Sequence, residues 1–324
     1  MAWRAILGVL LAVGPCFAED GPLEIPPPFS PAWEMVYQGQ YQQALAASQA
    51  LQKDFPNHPQ GYLIAAQAYW GLIYCETGHI NAQHVWYVAD RKTSRLDQEF
   101  FRAVDQALEA SRRMRANPQT AALGAFYAGL ARGVRGRLYA LRKQSLRSAS
   151  EAKQLRADLS EAIAKDPRLT PDAYLGLGAY NYYADVLSPL LKIVRVFLGI
   201  PGGDRQKGLE QLRTASEHAA LVSTEAKFEL ARIYGIQESR HAESFRLFAE
   251  LSERYPENAI FALSTAYQAE ATGKKTVAIE WAQKAGEAAA HMDAVCRERL
   301  GEAAQGAFER LRAGGDRGGT ANPN

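Results

Sequence analysis

The 324-residue sequence is poor in the residues that perform most enzyme chemistry. It contains three cysteines and six histidines, and the histidines are scattered along the chain. It has no Gly-x-Ser-x-Gly motif, so it lacks the nucleophile that many hydrolases present on a sharp turn. Cys75, His79 and His84 lie close together, but no fourth ligand follows at a spacing typical of zinc sites. We therefore predict no catalytic, cofactor-binding or metal-binding residues, and a protein that is not an enzyme.

Hydrophobic runs long enough to cross a membrane are also missing. Residues 5–13 are apolar, follow Arg4, and lead to small residues ending at Ala18, which is the pattern of a secretory signal peptide cleaved after about Ala18. The run falls short of the roughly 20 residues that a membrane-spanning helix needs. The pattern predicts an exported, periplasmic protein. A lipoprotein formed through Cys16 is the less favoured alternative, because Pro15 precedes that cysteine.

The sequence has no convincing strand alternation, and its apolar residues recur at helical spacing. Breakers such as Pro118, Pro167 and Gly273 separate the periodic segments. The predicted helices cover 31–37, 41–54, 60–76, 96–115, 119–142, 145–165, 171–186, 189–199, 205–219, 223–236, 240–254, 259–271, 274–289 and 292–311. Three glycines of the helix predicted over 119–142, at positions 129, 133 and 136, indicate a neighbouring helix that packs very close.

A repeated order of small, aromatic and helix-breaking residues occurs near both ends of the chain. The residues that carry it are Gly39, Tyr41, Ala44, Leu51 and Pro56, then Ala162, Asp166 and Pro167, then Tyr174, Leu177 and Gly178, then Leu230, Ala231, Tyr234, Tyr255 and Pro256, and finally Ala266, Gly273, Ala278, Ala282 and Ala285. Small residues allow two helix backbones to approach closely, while proline ends the second helix. In these residues the sequence resembles the tetratricopeptide-repeat (TPR) superfamily. Residues 174–204 also look like a segment of exported bacterial repeat proteins.

This resemblance implies an all-α fold, a TPR-like α-solenoid of stacked antiparallel helix pairs that is irregular in the middle, where the helices are longer. The domain organisation that we predict is a signal peptide over 1–18, a proline-rich lead over 19–30, a helical repeat domain over 31–312 and a flexible tail over 313–324.

Two cysteines, Cys75 and Cys296, remain after the predicted signal peptide. A disulfide requires α-carbons within about 7 Å, which an extended stack rarely allows for residues so far apart along it. We therefore predict two separate buried thiols, with a disulfide between two chains as the alternative.

Positive charge is concentrated in the middle of the chain. Residues 111–156 contain eleven lysines and arginines and one acid, a net charge of +10, whereas the whole chain carries +2. Arg132, Arg135, Arg142 and Lys143 fall opposite the apolar stripe of their helix and are predicted to face solvent, where they would attract an acidic partner or anionic lipid. The alternative is that acidic residues on adjacent helices neutralise them.

Several tyrosines follow one another in the helix predicted over 171–186. Flat rings with polar tips suit a groove for a peptide or a sugar, and we select Tyr180 and Tyr183 as candidate partner-binding residues. The alternative is that these rings only fill the space between helices.

The predicted function is a non-enzymatic periplasmic adaptor that binds a protein or peptide partner, acidic in character, on a concave helical surface. The alternative is a peripheral membrane or lipid-associated protein that uses the apolar residues 187–200 together with the basic residues 111–156. A weaker alternative, a sugar-binding envelope enzyme, would require buried carboxylates beside the tyrosines. No nucleic-acid motif is present, and we predict no nucleic-acid partner.

Overall fold

A computed structural model describes residues 25–77, 92–186, 196, 199 and 201–316, and the side chains of these residues as far as residue 313. Within these residues all regular structure is helical, with one 3₁₀ turn at Pro167–Leu169. The α-helices are α1 (Ser30–Tyr37), α2 (Tyr41–Asp54), α3 (Pro59–Glu76), α4 (Asp97–Ala116), α5 (Ala121–Leu141), α6 (Ser145–Lys165), α7 (Thr170–Asp185), α8 (Arg205–His218), α9 (Ser223–Ile236), α10 (His241–Arg254), α11 (Ala259–Ala271), α12 (Lys275–Ala289) and α13 (Ala294–Asp316).

Most of the predicted helices are confirmed, with ends that lie within two residues of the observed ones. The exception is α13, which continues to Asp316 and therefore beyond the predicted end at 311. The predicted helix over 189–199 lies outside the described residues, apart from Val196 and Gly199. The predicted signal peptide also lies outside them, and the domain boundaries stay predictions.

Consecutive helices pack in antiparallel pairs, α1 with α2 through α11 with α12, and each pair packs on the next. This is the TPR-like solenoid that the repeat residues predicted. The small residues of the repeat, among them Ala44, Ala162 and Ala278, are fully buried where helices cross. The middle is irregular as expected, because α5 and α6 each have 21 residues, compared with 14 in α9 and in α10.

Four turns inside helix pairs, those of α1–α2, α5–α6, α9–α10 and α11–α12, share one backbone geometry. In each of these four, a residue with positive φ lies two positions before the second helix: Gly39 at 80°, Lys143 at 58°, Ser239 at 53° and Gly273 at 76°. Glycine adopts this conformation without the steric cost that a side chain adds. Lys143, predicted as a partner-binding residue, therefore also occupies a position that the repeat normally gives to glycine.

The glycines of α5 allow the close approach predicted for them. A β-carbon added to Gly129 would lie 2.5 Å from Leu159 Cδ2, and one added to Gly133 would lie 3.1 Å from Leu155 Cδ1. Both leucines belong to α6, so glycine is needed here for α5 and α6 to pack at their observed distance.

A disulfide joins the early and late parts of the stack. Cys75 in α3 and Cys296 in α13 are bonded, with α-carbons 5.0 Å apart and a separation of 221 positions in sequence. The prediction of two separate thiols was therefore wrong. It assumed an extended stack, whereas the stack curves until α13 contacts α3.

Polar contacts between turns reinforce this closure. The Asn258 side chain donates a hydrogen bond to the backbone carbonyl of Tyr37 over 2.8 Å, and the Asp293 carboxylate accepts one from the backbone N–H of Gln42 over 3.1 Å. Gly39 lies so close to a methionine of the late turn that a β-carbon on it would be 2.5 Å from that side chain. The first helix pair thus bonds directly to residues just before α11 and α13.

Candidate functional site

The inner wall of the closed stack is formed by odd-numbered helices. They contact one another in order from α1 to α9, and α3 also contacts α13. Side chains from the middle and C-terminal parts of four of these helices form what we call the inner-wall cluster: Trp70 and Tyr74 of α3, Arg137 of α5, Tyr183 of α7, and Glu229 and Arg232 of α9. Tyr74 and Arg232 interact electrostatically although α3 and α9 are not neighbours in the stack. These side chains therefore point into the interior of the curve.

Arg137 is a cation of this cluster that has no hydrogen-bonding partner among the described residues. Its guanidinium carbon lies 5.6 Å from the centroid of the Trp70 ring, which is a cation–π distance. Within the described part of the chain, the guanidinium makes no hydrogen bond and no ion pair. The side chain is open to solvent, but the helices that surround it partly desolvate the guanidinium and lower its pKa, while attraction to Glu229 and Glu225 opposes this shift. Its donors are available to a ligand.

The second cation of the cluster, Arg232, is already paired. Its Nη1 donates a hydrogen bond to Glu229 Oε2 over 3.2 Å, while the Tyr183 hydroxyl donates one to Glu229 Oε1 over 2.6 Å. Burial raises the pKa of Tyr183, and the nearby carboxylate of Glu229 raises it further, so the phenol remains a donor. The sugar-binding alternative required carboxylates beside the tyrosines, and Glu229 is one, but both of its oxygens are engaged in these bonds.

A second carboxylate lies one turn earlier on α9. Burial raises the pKa of Glu225 despite a hydrogen bond from the Tyr37 phenol and attraction to Arg137. Its Oε2 atom is buried without a hydrogen-bond partner among the described residues. Asp172 at the start of α7 adds a weaker repulsion, and its own oxygens accept backbone N–H groups of Ala220 and Leu221. The carboxylates of Glu225 and Asp172 are therefore partly compensated, Glu225 by Tyr37 and Arg137 and Asp172 by backbone N–H groups.

Two of the arginines predicted to bind a partner form a network with acids of other helices. Arg132 Nε lies 2.7 Å from Asp158 Oδ2, and Arg135 contacts Glu151 at 2.9 Å and Asp105 at 2.8 Å. These ion pairs agree with the alternative given in the sequence analysis, in which acidic residues on adjacent helices neutralise the arginines. A role for them in partner binding stays a prediction.

The third predicted arginine is buried, which corrects the expectation that it faces solvent. Arg142 donates two hydrogen bonds to the Asp97 carboxylate, at 2.6 and 2.8 Å, and is 6% exposed. Arg142 directly follows the last residue of α5, in the turn that leads to α6. Its partner Asp97 is the first residue of α4. Lys143 next to Arg142 is exposed.

The two selected tyrosines have different environments. Tyr180 is buried, donates a hydrogen bond to the Pro201 carbonyl over 2.6 Å, and lies 5.7 Å from the Arg156 guanidinium carbon. It holds the start of the 201–204 turn against α7, which matches the packing alternative. Tyr183 belongs to the inner-wall cluster, where its hydroxyl reaches α9.

The sequence analysis did not select Trp70, Arg137, Glu229 or Arg232. Arg137 is one of the eleven basic residues of 111–156, but its sequence context does not distinguish it from its paired neighbours. The signal that separates them is the position of acids in other helices, which depends on the tertiary structure.

Other candidate features of the sequence are only partly described. Apart from Val196 and Gly199, the apolar residues 187–200 lie outside the described residues, as do His79 and His84. No helix in the described ranges is long and apolar enough to span a bilayer. Among the same residues, no group of three or more histidines, cysteines and acids is placed to hold a metal ion.

A comparison with protein-family models agrees with the helical-repeat architecture. The family model described as Iml2/Tetratricopeptide repeat protein 39 matches residues 142–304. Among solved structures, the chain is similar to the C-terminal part of a TPR repeat-containing protein from Cytophaga hutchinsonii, with 15% identity, 88% of this chain and 95% of that chain covered, and a TM-score of 0.35. It is also similar to the TPR domain of P58(IPK), with 16% identity, coverage of 89% and 98%, and a TM-score of 0.25. No curated protein matches the sequence.

Proposed function

Because the chain belongs to the Iml2/Tetratricopeptide repeat protein 39 family, we propose that it is a non-enzymatic scaffold that binds a protein or peptide partner on its inner wall. Stacked helix pairs present a long curved surface on which many moderate contacts add up. The observation that carries the proposal is the inner-wall cluster. It combines aromatic rings with Arg137, whose donors are unused within the described residues.

We also propose that the protein is exported and works in the periplasm. The signal-peptide pattern of residues 1–18 supports this. The Cys75–Cys296 disulfide supports it independently, because disulfides persist in oxidising compartments and are rare in the cytosol. Cell fractionation followed by alkylation of free thiols tests both points. Recovery in the cytosol with Cys75 and Cys296 both alkylated would contradict the proposal.

Affinity purification of the full chain from its native envelope, followed by quantitative mass spectrometry, tests the scaffold function. We expect partners recovered with the native chain to be lost with Arg137→Glu, which reverses the charge of the inner wall. Arg147→Glu is the matched control, because Arg147 is exposed and its contacts among the described residues are with Gln144 and the Tyr139 ring. Equal recovery with all three chains would exclude the inner wall as the binding surface.

The contribution of the basic residues 111–156 to binding is tested in the same experiment. Arg132→Glu with Arg135→Glu would weaken salt-sensitive binding if the paired arginines also attract an acidic partner. The membrane alternative is tested by flotation of the purified chain with anionic vesicles at low salt. Association that requires residues 187–200 would favour that alternative over the scaffold.

A further inference from the structure

We propose that the inner wall also binds a neutral sugar, with the ring of one hexose unit lying on Trp70. The ligand would be a free mono- or oligosaccharide rather than a segment of a protein, so the inference goes beyond the scaffold function. It does not depend on the identity of a protein partner, or on there being one.

Two rings of α3 provide a flat surface for such a ligand. The centroids of Trp70 and Tyr74 lie 6.2 Å apart, their planes are inclined by only 24°, and both side chains are half-buried. The face of a pyranose ring that carries its axial C–H groups is apolar, and covering it with an aromatic ring removes apolar surface of both from water. The two rings therefore favour a ligand that is flat and apolar on one side.

The polar groups beside these rings have unused capacity for hydrogen bonds. Among the described residues, hydrogen bonds are absent from the Arg137 guanidinium, the Trp70 indole N–H and the Tyr74 hydroxyl. Glu229 accepts one hydrogen bond on each oxygen, from Tyr183 and Arg232, whereas a carboxylate can accept about four. The site therefore offers donors and acceptors together. Hydroxyl groups on the rim of a sugar ring satisfy both kinds, because each can donate and accept.

The charges around this surface balance. Two guanidinium groups, those of Arg137 and Arg232, face the carboxylates of Glu225 and Glu229, and Arg137 is attracted to both acids. A charged ligand would leave its own charge, or one of these four, without a counter-ion among the helices, which is costly. A neutral polar ligand avoids this cost. The charge balance thus favours a sugar over a carboxylate, a phosphate or an amine.

The position of the cluster favours a compact ligand. The Arg137 guanidinium of α5 lies 5.6 Å from the Trp70 ring of α3, and Tyr74 of α3 interacts electrostatically with Arg232 of α9. Arg137 is open to solvent, although the surrounding helices partly desolvate it. A ring on Trp70 can therefore contact groups from α3, α5 and α9 at once, and a single small ligand can use most of the site.

Isothermal titration of the full chain with glucose, galactose and mannose, and with disaccharides of each, tests the inference. We expect at least one of these sugars to bind saturably, and its affinity to change little between low and high salt. The matching alditol has the hydroxyl groups but no ring to stack, so it should bind at least about 10-fold more weakly. The matching uronic acid and amino sugar should also bind more weakly than the neutral sugar, since each adds an uncompensated charge. These comparisons use the native chain alone and do not depend on the folding of a variant.

Substitution of Trp70 locates the site. Trp70→Ala should weaken binding by about 10- to 100-fold, while Trp70→Phe keeps a ring and should retain most of the affinity. Trp281→Ala is the matched control and should bind as the native chain does. Trp281 is also half-buried and also has a cation over its ring, Lys284 Nζ at 4.3 Å, but it belongs to α12, an even-numbered helix outside the inner wall. Circular dichroism of each variant checks that it is folded.

The possible results separate this inference from the scaffold function. Absence of saturable binding to every sugar, or sugar binding that Trp70→Ala leaves unchanged, would overturn the sugar site and leave partner recovery unaffected. Tighter binding of the uronic acid or the amino sugar than of the neutral sugar would contradict the charge argument and overturn it as well. Saturable binding of adenine but of no sugar would assign the two rings to a flat aromatic ligand instead. Loss of every protein partner in the affinity purification, with sugar binding intact, would refute the scaffold function alone.

Discussion

Removing the Cys75–Cys296 disulfide is expected to lower the free energy of unfolding by about 2–5 kcal/mol. The bond joins residues separated by 221 positions, so it greatly restricts the unfolded chain. The chain-entropy relation gives about 5 kcal/mol for a loop of this length, and native disulfides commonly contribute somewhat less. We therefore expect a loss large enough to measure easily by chemical denaturation.

The folded structure should change little when the bond is removed. Hydrogen bonds from Asn258 and to Asp293 also hold the two ends of the stack together, and they do not depend on the disulfide. Both sulfurs are fully buried, so replacement by alanine removes little more than the bond itself. The main effect is then on the unfolded ensemble, which gains conformational freedom.

Urea unfolding of the double variant Cys75→Ala/Cys296→Ala, followed by far-UV circular dichroism, measures this effect. The variant should keep the native helical signal and unfold at lower urea concentration. A reducing agent should lower the midpoint of the native chain towards that of the variant and leave the variant unchanged. Equal midpoints for the oxidised native chain and the variant, or free thiols at both Cys75 and Cys296 in the denatured native chain, would refute the closed arrangement.

Three further predictions concern single residues. Arg142→Ala leaves the buried Asp97 carboxylate without its partner, and chemical denaturation should register a loss of about 3–5 kcal/mol. Lys143→Gly, at φ 58°, should stabilise the protein by about 1 kcal/mol in the same assay, since glycine tolerates the left-handed backbone that Gly39 adopts in the equivalent turn. Burial lowers the pKa of His58, so its contribution to stability is complete above about pH 6.5 and declines as the pH falls through 6.5 towards the folded pKa. His58→Asn keeps an acceptor for the start of α3 and should flatten unfolding free energy measured between about pH 5 and pH 7.

The helices could be predicted from the sequence because their signals are local. Apolar spacing and breakers such as Pro167 and Gly273 lie within or next to the segment they define. The closure could not be predicted in the same way. It depends on small rotations between successive pairs that add up along the stack, and no local pattern reports their sum. The incorrect prediction for Cys75 and Cys296 has this single cause.

The candidate site was predicted in part. Tyr183 was selected because a flat ring with a polar tip suits a groove, and its hydroxyl does reach across the inner wall. The arginines could not be ranked from the sequence, since Arg135 and Arg137 lie two residues apart on one helix. Arg135 points to acids in α4 and α6, whereas Arg137 points to the Trp70 ring. A difference of this kind comes from the packing of distant helices.

The closure and the candidate site meet in the last turns of α3. Trp70 and Tyr74 form part of the inner wall, while the adjacent Cys75 anchors the same helix to α13. The disulfide therefore fixes the helix that carries the aromatic rings to α13, but it supplies no contact to a ligand. If the inner wall binds the partner, Cys75→Ala/Cys296→Ala should reduce partner recovery much less than Arg137→Glu, even though it destabilises the fold far more. The opposite order, measured by affinity purification and quantitative mass spectrometry, would mean that the closure, rather than the charge of Arg137, controls recognition.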